Sequence, residues 1–201
     1  VYVHIGKTSC AAKRGQFGLS WQDAAHYLSQ ARAFVVGSEQ EDAKPAVILE
    51  LGAALAHDNI PPLLIKKLKF LSFEGRKDVG VVLSRVLKME TEHKTSKVAQ
   101  TIASDPSLIA LLISGYDTDD TCMSLNCGVL LREFAVTPKL GSLLVECPDL
   151  FKFFKYVEHE SFESSADAFA SFSAALTSDK AAVAKMLLGN YDAFFSQYNQ
   201  L

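Results

Sequence analysis

The chain has 201 residues, 49% of them hydrophobic and 21% charged, with a net charge of -3. That composition excludes disordered, collagenous and mucin-like classes, and the charge leaves no electrostatic footprint for nucleic acid or an anionic membrane. Mean hydropathy is +0.13, yet the longest stretches free of Asp, Glu, Lys and Arg run 11 residues, as in 106–116, too short to span a bilayer as a helix.

In chain order, residues 1–18 carry three glycines and four basic residues, His4 included, and read as a loose lead-in. Gly6-Lys7-Thr8 resembles the end of a phosphate-binding loop. Val1 stands where the earlier glycine belongs and too little chain precedes it for a strand, so a polar tail is the reading. Trp21–Val36 reads as a helix with Trp21, Ala24, Ala25, Leu28 and Ala31 on one face. Ser20 and Asp23 stand before it at capping-box spacing. Residues 37–44 are acidic and polar, a loop, and Pro45–His57 resumes an apolar helix. The division is a lead-in and first helix over 1–44, then a helical array over 45–201.

The array shows an internal repeat. Pro62-Leu-Leu-Ile-Lys-Lys-Leu, Pro106-Ser-Leu-Ile-Ala-Leu-Leu, Pro148-Asp-Leu-Phe-Lys-Phe-Phe and Asn190-Tyr-Asp-Ala-Phe-Phe each open an apolar helix, at offsets of 44, 42 and 42 residues. Second helices over 78–87, 125–134 and 167–176 follow polar connections, at offsets of 47 and 42. A period near 40–47 with paired helices is that of HEAT and armadillo solenoids. Val79, Val82, Leu83 and Val86 recur at helical spacing, as do Phe169, Phe172 and Leu176. Asp105-Pro106 and Thr137-Pro138 place a capping residue before a helix-opening proline, and Ser164 with Asp167 has capping-box spacing. Gly115 and Gly189 sit at expected helix ends. Nothing alternates with period two over a strand's length. The chain opens on Val1 and residues 191–201 open a further unit, so the expectation is a piece of a longer array whose open end exposes Phe194 and Phe195.

Candidate chemistry is sparse. Four cysteines (10, 122, 127 and 147) are too few for a disulfide scaffold, and they point to a reducing, cytosolic setting. Cys122 and Cys127 read as small hydrophobes in a helix, and with Cys147 and His159 they lack the paired spacing of structural zinc. Asp117, Asp119 and Asp120 invite a calcium-loop reading, but Cys122 and Gly128 stand where the loop needs its Gly and its Glu. A solvated turn capping the next helix is the reading. Glu158, His159, Glu160 and Glu163 group carboxylates around a histidine, which admits acid–base work in an unrecognised hydrolase, against a solvated connection. His57 and His93 fall in connections and read as surface. Phe151, Phe153, Phe154 and Tyr156, echoed by Tyr191, Phe194, Phe195 and Tyr198, read mostly as core, with some rings half exposed at an edge. No catalytic, cofactor or metal site is expected. From the residues alone the chain is a helical-repeat interaction module.

Five strings carry more than the period. They are Phe73-Glu74-Gly75-Arg76-Lys77-Asp78-Val79, Ser124-Leu125-Asn126-Cys127-Gly128-Val129-Leu130-Leu131-Arg132-Glu133, Phe153-Phe154-Lys155-Tyr156-Val157-Glu158, Ser164-Ser165-Ala166-Asp167-Ala168-Phe169-Ala170-Ser171-Phe172 and Asn190-Tyr191-Asp192-Ala193-Phe194-Phe195-Ser196-Gln197-Tyr198. In this order they resemble the scaffold family known as mouse protein 25, or calcium-binding protein 39, over about residues 45–201. The resemblance implies an armadillo-like scaffold without enzymatic activity. Such a scaffold binds the STRAD pseudokinase and related germinal-centre kinases and holds the kinase active-like. It also implies roles in cell polarity and division, known for fungal relatives. Calcium is not carried over, because the Asp117 loop lacks the ligand pattern. Two departures stand out. Family members continue for several more helices, which build the pocket for a Trp-Glu-Phe tail, and residues 88–97 and the N-terminal portion differ from the pattern.

The resemblance assigns Lys77 to the kinase-facing surface, with Arg76 beside it. Val81, Ser84 and Lys88 project along the same side of the helix. Ser124, Gly128 and Leu131 are the aligned positions of the next repeat. Basic residues at a helix start oppose the macrodipole, and pairing with Glu74 or Asp78 is the alternative reason for Arg76 and Lys77 to be there. The expected fold is an all-α, right-handed armadillo/HEAT-like solenoid, a monomeric cytoplasmic scaffold open to a kinase or STRAD-like pseudokinase. The alternative is a polarity, division or cytoskeletal scaffold without direct kinase activation.

Overall fold

A computed structural model describes residues 21–38 and 41–201. The lead-in over 1–18, with Gly6-Lys7-Thr8 and Cys10, lies outside the described residues, as do Ser20 and the side chains of Trp21, Asp23 and Ala24. The described helices are α1 (Trp21–Val36), α2 (Pro45–His57), α3 (Ile60–Lys67), α4 (Phe73–Glu92), α5 (Lys97–Ala103) and α6 (Ser107–Ile113). They continue as α7 (Thr121–Val136), α8 (Leu140–Glu146), α9 (Phe153–Tyr156), α10 (Phe162–Leu176), α11 (Lys180–Gly189) and α12 (Tyr191–Tyr198). Tight 3-10 turns follow α3 (Leu68–Phe70) and α6 (Ser114–Tyr116) and lead into α9 (Pro148–Lys152). Extended pairing among the described residues is limited to Gly37–Ser38 against Glu41–Asp42, within the expected loop. None of the described helices is long and apolar enough to cross a membrane, and the apolar α5–α6 pair is bent by 85° and buried in the array.

Each unit holds three helices where the sequence reading saw two. Units α2–α3–α4, α5–α6–α7 and α8–α9–α10 follow one another, and α11 and α12 repeat the first two helices of the pattern. The short helices α5, α8 and α11 start each unit. At 7 to 10 residues they are too short to be stable alone, and tertiary packing holds them. Three helices in about 40 residues is the armadillo unit. Three stacked layers result: α1, α4, α7 and α10 lie side by side, α2, α5, α8 and α11 form a second layer, and α3 and α6 continue into the turn before α9. α1, the first helix of the 1–44 portion, packs along α4 at the head of the long-helix layer.

The long helices begin on related caps. Ser72, Asp120 and Ser161 accept hydrogen bonds from the N–H of Gly75, Met123 and Ser164, three residues on. The expected capping box at Ser164 and Asp167 is displaced, because both residues lie inside α10 and face its neighbours. Thr137 closes α7, donating to Glu133 O at 2.8 Å, rather than opening α8. Asp105 is the turn before α6, where its carboxylate accepts from Ser107. Asn59 makes the sharp reversal between α2 and α3 at φ 53, a left-handed conformation that Asn tolerates.

The core runs through all units: Ile48, Ile65, Leu83, Ile109, Phe134 and Phe153 are fully buried, each contributing roughly 1.5–3 kcal/mol of burial. At the C-terminal end the rings cluster. Phe153 stacks on Phe172 with centroids 5.6 Å apart, and Phe194 meets Phe154 edge-on at 5.2 Å. Phe194 is therefore buried and Phe195 partly so, contrary to the expected exposure, and the exposed rings of α12 are Tyr191 and Tyr198.

Candidate partner-binding surface

The long helices pack edge to edge, so each has a backward seam, a forward seam and one open face. Residues 78, 126 and 167 occupy the same register and face backward. Asp78 pairs with Arg32 of α1 at 3.5 Å, Asn126 approaches Gly80 of α4, and Asp167 lies against Gly128 of α7. The Asp167 seam is the most polar. Tyr116 donates to Asp167 Oδ2 at 2.5 Å, and Arg132 Nη1 donates to Asp167 Oδ1 at 2.7 Å and Ser171 Oγ at 2.8 Å. Burial, then the bond to Asp167, pushes the Tyr116 hydroxyl well above the usual phenol range.

This geometry separates the residues expected on the partner surface. Ser124 and Leu131 are each only 1% exposed and Gly128 is buried. They form the α7–α10 seam and core, because the register aligned with Arg76, Gly80 and Leu83 points between helices. They present no surface to a partner. Val81 and Ser84 are half-buried, Val81 against the core. Arg76 is turned into the junction of two units: its guanidinium donates to Asp120 Oδ2 at 2.5 Å and to the carbonyls of Leu71 and Lys69, leaving the side chain 16% exposed. Its expected partner was Glu74 or Asp78; Asp120, a residue of the next unit, takes that place. Lys77 is 46% exposed, pairs with Glu74 at 3.3 Å and sits over the Phe73 ring. Lys88 is exposed. Burial raises the Glu133 carboxyl above its usual range, and the charge of Lys88 offsets part of that rise.

The long-helix layer carries exposed apolar side chains that the sequence reading did not assign to its surface. On α7 Val136 is 68% exposed and Val129 is exposed, and on α10 Phe169 is 66% exposed with Phe162 beside it in register. Phe169 reads in the sequence as part of the buried stripe with Phe172, but it holds in α10 the register of Gly80 and Gly128, which in α4 and α7 faces the following long helix, so it lies on the forward flank of α10, which no described long helix covers. On the helical wheel it lies only about 60° from buried Phe172, so no signal in the sequence separates the two rings.

The other candidates resolve as structure. Asp120 caps α7, and hydrogen bonding from Arg76 holds its carboxyl below the usual range. His159 Nδ1 accepts from the Ser161 N–H at 3.0 Å, closing the turn before α10, while Glu158 and Glu160 point to solvent. Cys127 is fully buried, and burial pushes its thiol up to about 12, which leaves it an inert hydrophobe. His57 and His93 are exposed, as expected.

A family model described as Mo25-like matches residues 8–201. The chain is 30% identical over 180 residues to MO25-like protein 2 of Caenorhabditis elegans, covering 90% of this chain and 52% of that protein. It is 28% identical over 180 residues to the human calcium-binding protein 39-like, with the same coverages. It is 27% identical over 182 residues to the Mo25-like protein of Schizosaccharomyces pombe, covering 90% and 54%. The chain spans about half the length of these relatives. With armadillo-type three-helix units and a family model that takes in every described residue, the chain belongs to the Mo25-like family.

Proposed function

We propose that this chain is a non-enzymatic scaffold that binds a germinal-centre-type kinase or a STRAD-like pseudokinase on the open face of its long-helix layer. It stabilises the partner's active conformation by binding that state more tightly. The observation that carries the reading is the set of exposed apolar side chains on this layer, Val129 and Val136 on α7 and Phe162 and Phe169 on the uncovered flank of α10, with Lys77 and Lys88 exposed on α4. Exposed apolar side chains framed by charge make an anchor surface. The reading takes the protein as a monomer of the cytoplasm. A coupling of about 1–3 kcal/mol, or 5- to 150-fold in affinity, is the usual reach of such a device.

A second reading keeps the scaffold and drops kinase activation, with a role in polarity, division or cytoskeletal assembly. It is favoured by 27% identity to the conidiophore development protein hymA of Emericella nidulans. One experiment separates the two. The protein is added to a cognate germinal-centre kinase and activity is measured with Lys77→Glu and Phe169→Asp alongside. A rise that both variants blunt supports the first reading. Binding without a rise supports the second, and no kinase bound overturns the first.

A further inference from the structure

A second surface stands apart from the long-helix face. Residues 66–77 hold five of the chain's twenty basic residues and one acid, Glu74, in a chain of net charge -3. Two of its rings are exposed, Phe70 and Phe73, and each is roofed by ammonium groups. Lys67 and Lys69 Nζ lie 5.3 and 5.0 Å from the Phe70 centroid, and Lys77 lies 5.5 Å from that of Phe73.

Beside this patch, where the first unit meets the second, a half-open cleft of about 350 Å³ enters the array. Ile65, Leu111 and Met123 supply its apolar lining and Lys66, Lys69 and Arg76 its cations. The volume is at the low end of the roughly 300–1,000 Å³ of ligand pockets, room for one or two side chains and not for a cofactor. The acids at its edge are already engaged. Asp120 is held by Arg76 and by the Met123 N–H, and Asp105 pairs with Lys66 at 2.7 Å. Arg76 is fixed by three acceptors, so its position costs no ordering on binding. Among the described residues Lys67 and Lys69 form no ion pair. Lys69 lines the cleft, and Lys67 lies beside it about the same Phe70 ring.

We infer that this cleft docks an acidic linear protein segment bearing one bulky apolar side chain. The apolar side chain enters between Ile65, Leu111 and Met123, and flanking carboxylates meet Lys67 and Lys69. The charge of the patch selects an acidic partner. The concavity favours a peptide over a lipid surface, which meets a protein along a flat or protruding edge. The cleft has no ring in its lining on which a base could stack, and the two exposed rings beside it are already covered by ammonium groups, which disfavours nucleic acid. The site does not rest on the kinase reading, since none of its lining lies on the open face of α7 or α10.

The test uses the whole chain and a fluorescein-labelled hexapeptide, Glu-Glu-Leu-Phe-Glu-Glu, in an anisotropy titration at low salt. The expected result is saturable binding that weakens at least tenfold in Lys69→Glu and in Leu111→Arg, and is unchanged in Phe169→Asp. Circular dichroism verifies folding, and Lys69 is exposed, so its variant reports even where Leu111→Arg disturbs packing. No binding up to millimolar peptide overturns the inference, as does equal binding by the Lys69 variant. Sedimentation with phosphatidylserine-containing vesicles, or binding of a uridine oligonucleotide, in the absence of peptide binding overturns it in favour of those partners.

Discussion

Asp167 of α10 lies against the backbone of Gly128 of α7, in the space that a Cβ at Gly128 would occupy, with the Tyr116 hydroxyl beside it. One seam earlier, a Cβ at Gly80 would sit 3.8 Å from Asn126 Oδ1 and Val129 Cγ1, an ordinary contact. The two glycines share a register and differ in need. Gly128→Ala should therefore cost about 1–3 kcal/mol from overpacking, despite the better helix propensity of alanine. Gly80→Ala should be neutral or stabilise by roughly 0.5–1 kcal/mol. Urea unfolding of the two variants checks the contrast, and equal effects would show that the Asp167 seam relaxes freely.

The same seam predicts strong coupling. Arg132 and Asp167 meet with side chains 32% and 10% exposed, and Tyr116 and Ser171 complete the network. Arg132→Met leaves the largely desolvated Asp167 carboxylate with the Tyr116 hydroxyl as its donor, and should cost about 2 kcal/mol, less than a fully buried pair would lose. Arg132→Met with Asp167→Leu together should cost less than the sum of the two. A double-mutant cycle measures this, and additivity would mean that the pair contributes nothing as a pair.

Much of this architecture was legible in the sequence because burial and periodicity are local. The Pro-led helices, the long helices and the 42–47 spacing are written in apolar residues. The third helix of each unit was not, since α5 and α8 span only 7 residues each and exist by packing. Partner-surface residues were the least legible. By the 47-residue spacing Ser124, Gly128 and Leu131 align with Lys77, Val81 and Ser84, but the helix caps lie 48 residues apart and shift them to the buried register of Arg76, Gly80 and Leu83, and a single chain's pattern does not say which helix flank a neighbour takes. Phe169 and Phe194 err in opposite directions for the same reason: each ring's exposure is set by a helix distant in sequence.

The Arg76–Asp120 pair links two units and should respond to acid. Hydrogen bonding from Arg76 depresses the Asp120 carboxyl, so its contribution is present above the unfolded carboxylate value near ~4 and is lost as pH falls through the depressed folded value. Arg76→Met removes that contribution. The stability gap between wild type and variant should then shrink as pH falls from about 6 to 3. Asp120 is 44% exposed, which screens the pair, so the shrinkage should be at most ~1 kcal/mol. Denaturant midpoints at the two pH values decide it, and a gap that widens in acid would contradict the assignment.

Glu90 offers the sharpest local test, because it caps a helix that is not its own. From the end of α4 its carboxylate accepts from the N–H of Val98 at 2.8 Å and of Ala99 at 3.3 Å, at the start of α5, and it is 3% exposed. Ser96, the residue placed to cap α5 locally, makes no such bond through its side chain. A negative charge at a helix start is favourable, and two buried N–H groups without an acceptor cost about 1–3 kcal/mol each in desolvation. Glu90→Ala should therefore destabilise by roughly 2–4 kcal/mol in total, the two losses sharing one site. Glu90→Gln keeps one good acceptor and should cost about half as much. Hydrogen exchange reads the mechanism directly. The amides of Val98 and Ala99 should lose protection in Glu90→Ala beyond the global loss of stability. If they exchange in step with the rest of the core, Glu90 acts through packing and the cross-helix cap is not what holds α5 in place.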